Sequence, residues 1–311
     1  MPMPFALDHV NCWMLGEADD RLLIDTGIDD ESTRTYWQTY LASESSAPRQ
    51  MLVTHFHPDH IGLAGWFAEL GCETFLGSEI ETEIAQALYA LPNDDYSQLY
   101  ENWYEQHGLP AESIAPVRRY GNTYKAKVHK PPAMNLWRFL IDGQLVSLAG
   151  RQYEVIIGRG HAPEMIMLYR SDDHVLIAAD QVLPSISPNI SVMPRLQDDN
   201  PLNSFLHTLT RLENLPDDTL VLPSHGMPFT GLKERLAQLK QHHQQRLQQV
   251  FEACEQPKSA FELFPMLYRR KLDAQQTSFA LGEALAHLHY LEQQGRLERS
   301  KNEALIRFFQ P

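Results

Sequence analysis

The chain has 311 residues, with 40 acidic against 26 basic side chains and a formal net charge of -14. That length fills one large domain or two ordinary ones and buries a core without covalent staples. The acidic balance disfavours nonspecific binding of nucleic acid. Cys12, Cys72 and Cys254 stand far apart and in no pair motif, which argues against a disulfide framework or a thiolate metal site and leaves buried, reduced thiols. The first residues, from Met1 to Phe5, show no basic segment followed by an apolar run, and no stretch reaches the length of a membrane span. A cytoplasmic protein without a membrane partner is expected.

Arg21–Ile24 predicts a short strand that ends in the turn Asp25-Thr26-Gly27. Asp30–Leu41 predicts a helix, and Met51–Val53 a short buried strand. Next comes Thr54-His55-Phe56-His57-Pro58-Asp59-His60, which sets three imidazoles and a carboxylate directly after a strand. Ligand sites of layered α/β folds lie at such strand ends, and imidazole with carboxylate suits Zn, Mn or Fe. A helix over Ile61–Leu70 follows and stops at Gly71.

Residues 78–134 read as an insertion of two or three helices. A loop rich in Tyr and Lys follows them through Tyr120, Tyr124, Lys125, Lys127 and Lys130, closed by Pro131-Pro132. Such an insertion is a cover over the site or a lateral packing element. Further strands are expected at Tyr153–Ile157, Met165–Tyr169, Val175–Ala179 and Leu220–Leu222, and helices at Pro201–Asn214 and Leu232–Glu255. Three of these strands run into candidate ligands: Gly160-His161-Ala162-Pro163 after the first, Asp180 after Val175–Ala179, and Ser224-His225-Gly226 after the last. Singly, His161 reads as a turn histidine and Asp180 as a cap. Together they share the strand-end context of the His motif.

Composition shifts near residue 232. From Lys233 onward twelve Lys and Arg stand against nine Asp and Glu, a mildly basic tail on an acidic body. Ala260–Arg270 and Ser278–Gln294 predict amphipathic helices, and Arg296–Arg299 with Leu305–Phe309 a small hairpin, a winged-helix-like order. Four other features carry bland readings. His9 reads as an edge-strand histidine, His242-His243 as solvated surface, Trp103 and Tyr104 as core aromatics, and Ser187-Pro188-Asn189 as a turn.

The motif His55-x-His57-x-Asp59-His60, followed in order by His161, Asp180 and His225 and preceded by Asp25, resembles the metallo-β-lactamase superfamily over roughly residues 5–232. The tail, Gly160–Glu164 and Asp180–Asn189 resemble the subgroup of β-lactamase-like protein 2. The resemblance implies an α/β fold, a four-layer αββα sandwich, over residues 1–232 with the helical insertion 78–134, and a C-terminal winged-helix-like domain over 233–311. It implies a dinuclear site in which His55, His57 and His161 hold one divalent metal, Asp59, His60 and His225 hold the second, and Asp180 bridges both. Zinc is the foremost candidate, with Mn or Fe as alternatives. Asp59 would also act in catalysis, orienting the attacking hydroxide and passing a proton to the leaving group. Asp25 would hydrogen-bond a ligand histidine.

A carboxylate at the bridging position weighs against antibiotic hydrolysis, because the true β-lactamases of the superfamily mostly use a thiolate or another ligand there. It favours a metal-dependent hydrolase of an ester, thioester or lactone, with a small-molecule acyl substrate as partner. One alternative is an endoribonuclease on single-stranded RNA, which the basic tail favours and the acidic body disfavours. Another is a mononuclear-iron persulfide dioxygenase, which the full ligand set disfavours. A homodimer through the terminal module stays open. Met165 and Gln181 stand where related chains lead one to expect a supporting histidine.

Overall fold

The computed structural model describes residues 1–4, 7–17, 20–44, 47–196, 199–268, 272–302 and 305–311. The chain forms two compact units. The first takes Met1–Ala90, Thr123–Pro188 and Glu213–Arg235; the second takes Leu91–Asn122, Asn189–Leu212 and Leu236–Pro311.

The first unit is built on two five-stranded sheets. One runs β1 (Trp13–Leu15), β2 (Leu22–Ile24), β3 (Gln50–Leu52), β4 (Thr74–Gly77), β5 (Trp137–Phe139), parallel except for β1. The other contains β6 (Leu145–Leu148), β7 (Arg151–Gly158), β8 (Met165–Arg170), β9 (Val175–Ala179) and β10 (Leu220–Pro223) in the order β10-β9-β8-β7-β6. Only its β9–β10 pair is parallel. Side chains alternate across a strand, and the alternation divides the first sheet's residues between two cores. Leu22, Ile24, Leu52 and Leu76 share a buried cluster with Val155, Ile157, Ile166, Leu168 and Ile177 of the second sheet. Leu23, Met51 and Phe75, on the opposite register, pack with Trp37, Ile61 and Phe67. Those three come from helices α1 (Glu31–Ser43), α2 (Pro58–Ile61) and α3 (Ala64–Glu69). Each fully buried Leu, Ile or Phe contributes about 1.5–3 kcal/mol. Asp30 caps α1 by accepting from the Thr33 N–H at 2.8 Å.

The long buried strands and the helix over residues 31–43 fall within a few residues of their expected places. The helix expected over Ile61–Leu70 begins earlier, at Pro58, and breaks at Gly62–Leu63. Proline is pre-set for the first helical position. Gly62 is required where it stands, because a Cβ there would lie 2.4 Å from the carbonyl oxygens of both Gly27 and Pro58. Strands β1, β4, β5 and β6 had no clear sequence signal; each is three or four residues long, too short to show a period. The stretch 78–134 supplies α4 (Glu79–Ala90) and the Tyr- and Lys-rich loop from Thr123 onward to the first unit, while residues 91–122 between them, with Tyr120 at the end of a helix rather than in the loop, belong to the second. That loop docks on the first unit through His129 N–H to Gly62 O (2.7 Å) and Asp29 N–H to Lys127 O (2.8 Å).

The second unit contains α5 (Asn93–Gln106), α6 (Ala111–Tyr120), α7 (Pro201–Leu212), α8 (Leu232–Ala253, from Leu236 onward), α9 (Phe264–Leu267) and α10 (Ala274–Gln293). It ends in the antiparallel pair β11 (Glu298–Asn302) and β12 (Leu305–Phe309). Helix α10 starts four residues before the expected Ser278, because Asp273 and Gln276 form a reciprocal capping box. The helix expected over Ala260–Arg270 is only a 3-10 turn, Phe261–Leu263, followed by α9. Its end at Arg269 and Arg270, like Lys271 and Glu303 of the tail's charges, lies outside the described residues. Tyr104 is buried in a ring ladder with Tyr96 and Tyr100. No described helix is long and apolar enough to cross a membrane, and all three cysteines are free thiols.

The expectation of a solvated His242-His243 pair is corrected for His243. It is buried, with its Nδ1 3.3 Å from His287 Nε2, while His287 Nδ1–H donates to the Glu283 carbonyl at 2.8 Å. Burial lowers the pKa of His287 to about 4, and burial with the neighbouring His287 lowers that of His243. Unfolded histidines titrate near ~6.5, so below that pH the unfolded chain binds more protons and stability falls, progressively to about pH 4. Each unit of that gap is worth about 1.4 kcal/mol. The urea midpoint of the metal-free protein is therefore expected to drop less between pH 7 and pH 5 in H243L/H287L than in the wild type. Equal drops would contradict this account.

Candidate metal centre

Every residue of the candidate site sits in the first unit, in a segment that follows a strand end. The His motif leaves β3, and Pro58 opens the short helix α2 with His57 at its N-cap. One helical turn then presents Asp59 and His60. The Asp25-Thr26-Gly27 turn after β2 is tied to that helix. Thr26 N–H donates to the His60 carbonyl at 2.9 Å, and Leu63 N–H donates to Thr26 Oγ1 at 2.9 Å. Asp180 follows Ala179, whose φ of 46° is left-handed, a conformation that costs an L-residue roughly 1–2 kcal/mol. The ladder shifts at the same place, pairing Pro223 with Ala179. Asn11 holds the His225 turn by donating from Nδ2 to the carbonyls of Pro223 and Gly226, at 2.9 and 2.8 Å.

Three groups of donor atoms result: His55, His57 and His161; Asp59, His60 and His225; and His55, His60 and Asp180, which links the other two. His55 Nε2 lies 3.0 Å from His57 Nδ1. Asp180 Oδ2 lies 3.2 Å from His161 Nε2 and 3.5 Å from His60 Nε2, while its Oδ1 lies 3.4 Å from His225 Nε2. Asp59 Oδ2 lies 3.6 Å from His60 Nε2 and 3.4 Å from His225 Nε2. Metal–N and metal–O bonds of roughly 2.0–2.2 Å put neighbouring donors roughly 3.3–3.6 Å apart on a tetrahedron. Buried His60 Nε2 and Asp180 Oδ1 make no hydrogen bond, although buried polar atoms are almost always bonded. The donor set therefore fits divalent cations.

The opposite ring nitrogens are anchored. His225 Nδ1–H donates to the His9 carbonyl at 2.7 Å, and His60 Nδ1–H donates to Asp25 Oδ2 at 2.7 Å. Asp25 also accepts from Thr54 N–H and Thr54 Oγ1–H, both at 2.8 Å. With its proton given to Asp25, Thr54 Oγ1 accepts from His55 Nδ1–H at 3.0 Å. These bonds turn Nε2 of His55, His60 and His225 toward the centre.

The two halves differ electrostatically. Burial, reinforced by neighbouring imidazoles, drives His55 far below the ordinary histidine range and His57 to about 3, so these two rings are neutral. In the other half burial is overcome. Asp59, Asp25 and Asp180 raise His60 well above its usual value, and Asp180 with Asp59 raises His225 to about 10. Conversely, His60 and His225 hold Asp59 down at about 2 against burial.

Of the residues singled out from sequence, His55, His57, Asp59, His60, His161, Asp180 and His225 come together, and Asp25 lies against His60. Sequence reasoning missed four contributors. Thr54 relays Asp25 to His55, His9 acts through its carbonyl, Asn11 braces the His225 turn, and Glu81 accepts from Phe56 N–H and Glu164 N–H. Where supporting histidines were expected, Met165 is buried in the core and Gln181 Nε2 donates to the Arg159 carbonyl at 3.1 Å. Asp25→Ala strips three buried donors of their acceptor. It is expected to weaken divalent-cation binding about 10–100-fold in chelator competition; unchanged affinity would refute the anchoring role.

Residues 6–225 match the Metallo-beta-lactamase superfamily, and residues 247–311 match the family described as Metallo-beta-lactamase-like, C-terminal domain. A β-lactamase domain protein from Burkholderia ambifaria, of known crystal structure, is 38% identical with a TM-score of 0.90, covering 100% of this chain and 91% of that one. The Probable metallo-hydrolase YqjP of Bacillus subtilis is 25% identical over 312 residues, 94% of this chain and 90% of its own. The Acyl-coenzyme A thioesterase MBLAC2 of Gallus gallus is 26% identical over 244 residues, 76% of this chain and 78% of its own. The α/β class and family fold expected from the sequence hold.

Proposed function

The chain belongs to the metallo-β-lactamase superfamily, and from that premise we propose that it is a dinuclear, zinc-dependent hydrolase of acyl thioesters. The observation that carries this reading is the pair of donor triads linked through Asp180. His55, His57 and His161 would hold one cation, Asp59, His60 and His225 the other, with Asp180 facing both. A relative named as an acyl-coenzyme A thioesterase supports the thioester class. The C-terminal helices and hairpin we read as a winged-helix-like module following the catalytic domain of residues 1–232.

Two bound divalent cations supply an acidified water and a polarised carbonyl oxygen. The chain's own residues do the rest. Asp59, with 21% of its side chain exposed against 7% for Asp180, is the carboxylate of the cluster that meets solvent. Kept ionised by His60 and His225, it orients the attacking water and receives its proton. As the C–S bond breaks, that proton passes to the departing sulfur. A thiolate leaves easily, its thiol having a pKa near ~8.5, so a site whose ionisable side chains are imidazoles and carboxylates needs no further acid.

The test is to strip the protein of metal, reload it with Zn or Mn, and offer acyl-coenzyme A, an aryl ester, a lactone and single-stranded RNA. Thiol release from acyl-coenzyme A with two ions per chain is the expected result. Asp59→Asn is expected to lower turnover by about 10²–10⁴-fold, and His57→Ala to lose an ion as well as activity. RNA cleavage without thioester cleavage would put the endoribonuclease reading in its place. A wild-type protein that takes up no divalent ion would remove the hydrolase reading.

A further inference from the structure

We propose that Glu81 is the positioning residue that sets the separation between the two backbone segments carrying His55, His57 and His161, an inference that rests on the metal-site reading above. Glu81 belongs to neither segment. It lies on α4, is only 3% exposed, and reaches both. Its Oε2 accepts from the Phe56 N–H at 3.0 Å, and its Oε1 accepts from the Glu164 N–H at 2.6 Å. Phe56 stands between His55 and His57, and Glu164 three residues beyond His161, so one carboxylate spans the peptide links of both histidine segments.

The rest of α4 supports the clamp. Tyr89 OH donates to the Phe56 carbonyl at 2.7 Å, so the same helix grips Phe56 on both its polar groups. The Glu164 side chain is held in turn by Ser78 Oγ–H at 2.9 Å and Arg159 Nη2–H at 2.6 Å. Glu81, Ala85 and Tyr89 lie four residues apart on one buried face, where an aliphatic residue would be the ordinary occupant. Burial pushes the Glu81 carboxyl up to about 7, while the two N–H donors pull the other way. Only the carboxylate, which offers two acceptor oxygens, satisfies both. A glutamine of the same shape must turn its NH₂ toward one of the backbone N–H groups and loses that bond.

The experiment uses the full chain as Glu81→Gln and Glu81→Asp, with wild type alongside. In metal-free protein, hydrogen exchange is expected to speed up in the peptides covering residues 54–58 and 161–165 and to stay at wild-type rates elsewhere in the first unit. On reloading, chelator competition is expected to show one ion per chain weakened about 10–100-fold and the other changed by less than about twofold. The aspartate variant, which keeps the charge but loses one methylene of reach, gives the same local pattern even if the glutamine variant folds poorly. Wild-type exchange and wild-type affinity for both ions would overturn the proposal, as would a uniform loss of protection in both variants. If wild type itself fails to bind two ions, the metal-site reading falls, and the exchange measurement still decides whether Glu81 ties the segments.

Discussion

A carboxylate shut away from water must find donors, and Asp25 finds three: the amide and hydroxyl of Thr54 and the imidazole of His60. Their placement follows from that requirement. Asp25 follows one strand and Thr54 the next, so the bonds lock two neighbouring strand ends together. Through Thr54 the same acceptor reaches His55. Two rings of the donor set, His60 directly and His55 through Thr54, thus take their orientation from one buried side chain that belongs to none of the three donor groups. Asp25 is itself in the left-handed region, φ 59°, a conformation that aspartate tolerates better than most residues.

Above this anchor the charges are distributed unevenly. A group of three imidazoles, two of them held neutral by burial, faces a second group in which carboxylates and imidazoles interleave. In the second group the imidazoles carry the positive charge that the carboxylates demand. A divalent cation entering there would compete with protons, whereas His55 and His57 already stand unprotonated. The two groups of donors therefore differ in kind, and Asp180 lies against a histidine of each.

Much of the site was legible in the sequence because its donors are residue types with a chemistry, standing at the ends of apolar strands. What escaped notice works differently. His9 contributes a carbonyl, which every residue has, so no letter in the sequence marks it. Glu81 did leave a trace, a charge on the buried stripe it shares with Ala85 and Tyr89, but Glu79 and Glu83 beside it make the whole turn look like solvated surface. His243 sits in a Gln-rich helix but is buried against Phe205 and His287, 38 and 44 positions away, a packing no local window can see. The short strands β1, β4, β5 and β6 exist because neighbouring strands recruit them, and three or four residues carry too little pattern to show it.

The division of the chain into interleaved segments has a consequence for biosynthesis. The first unit cannot close until synthesis reaches Arg235, because β10 and the His225 turn come last. By then Leu91–Asn122 and Asn189–Leu212 have already been made, while the remainder of their own unit, Leu236–Pro311, has not. Those early helices therefore cannot complete their own unit until Leu236–Pro311 has been made. No single cut in the gene yields either unit whole.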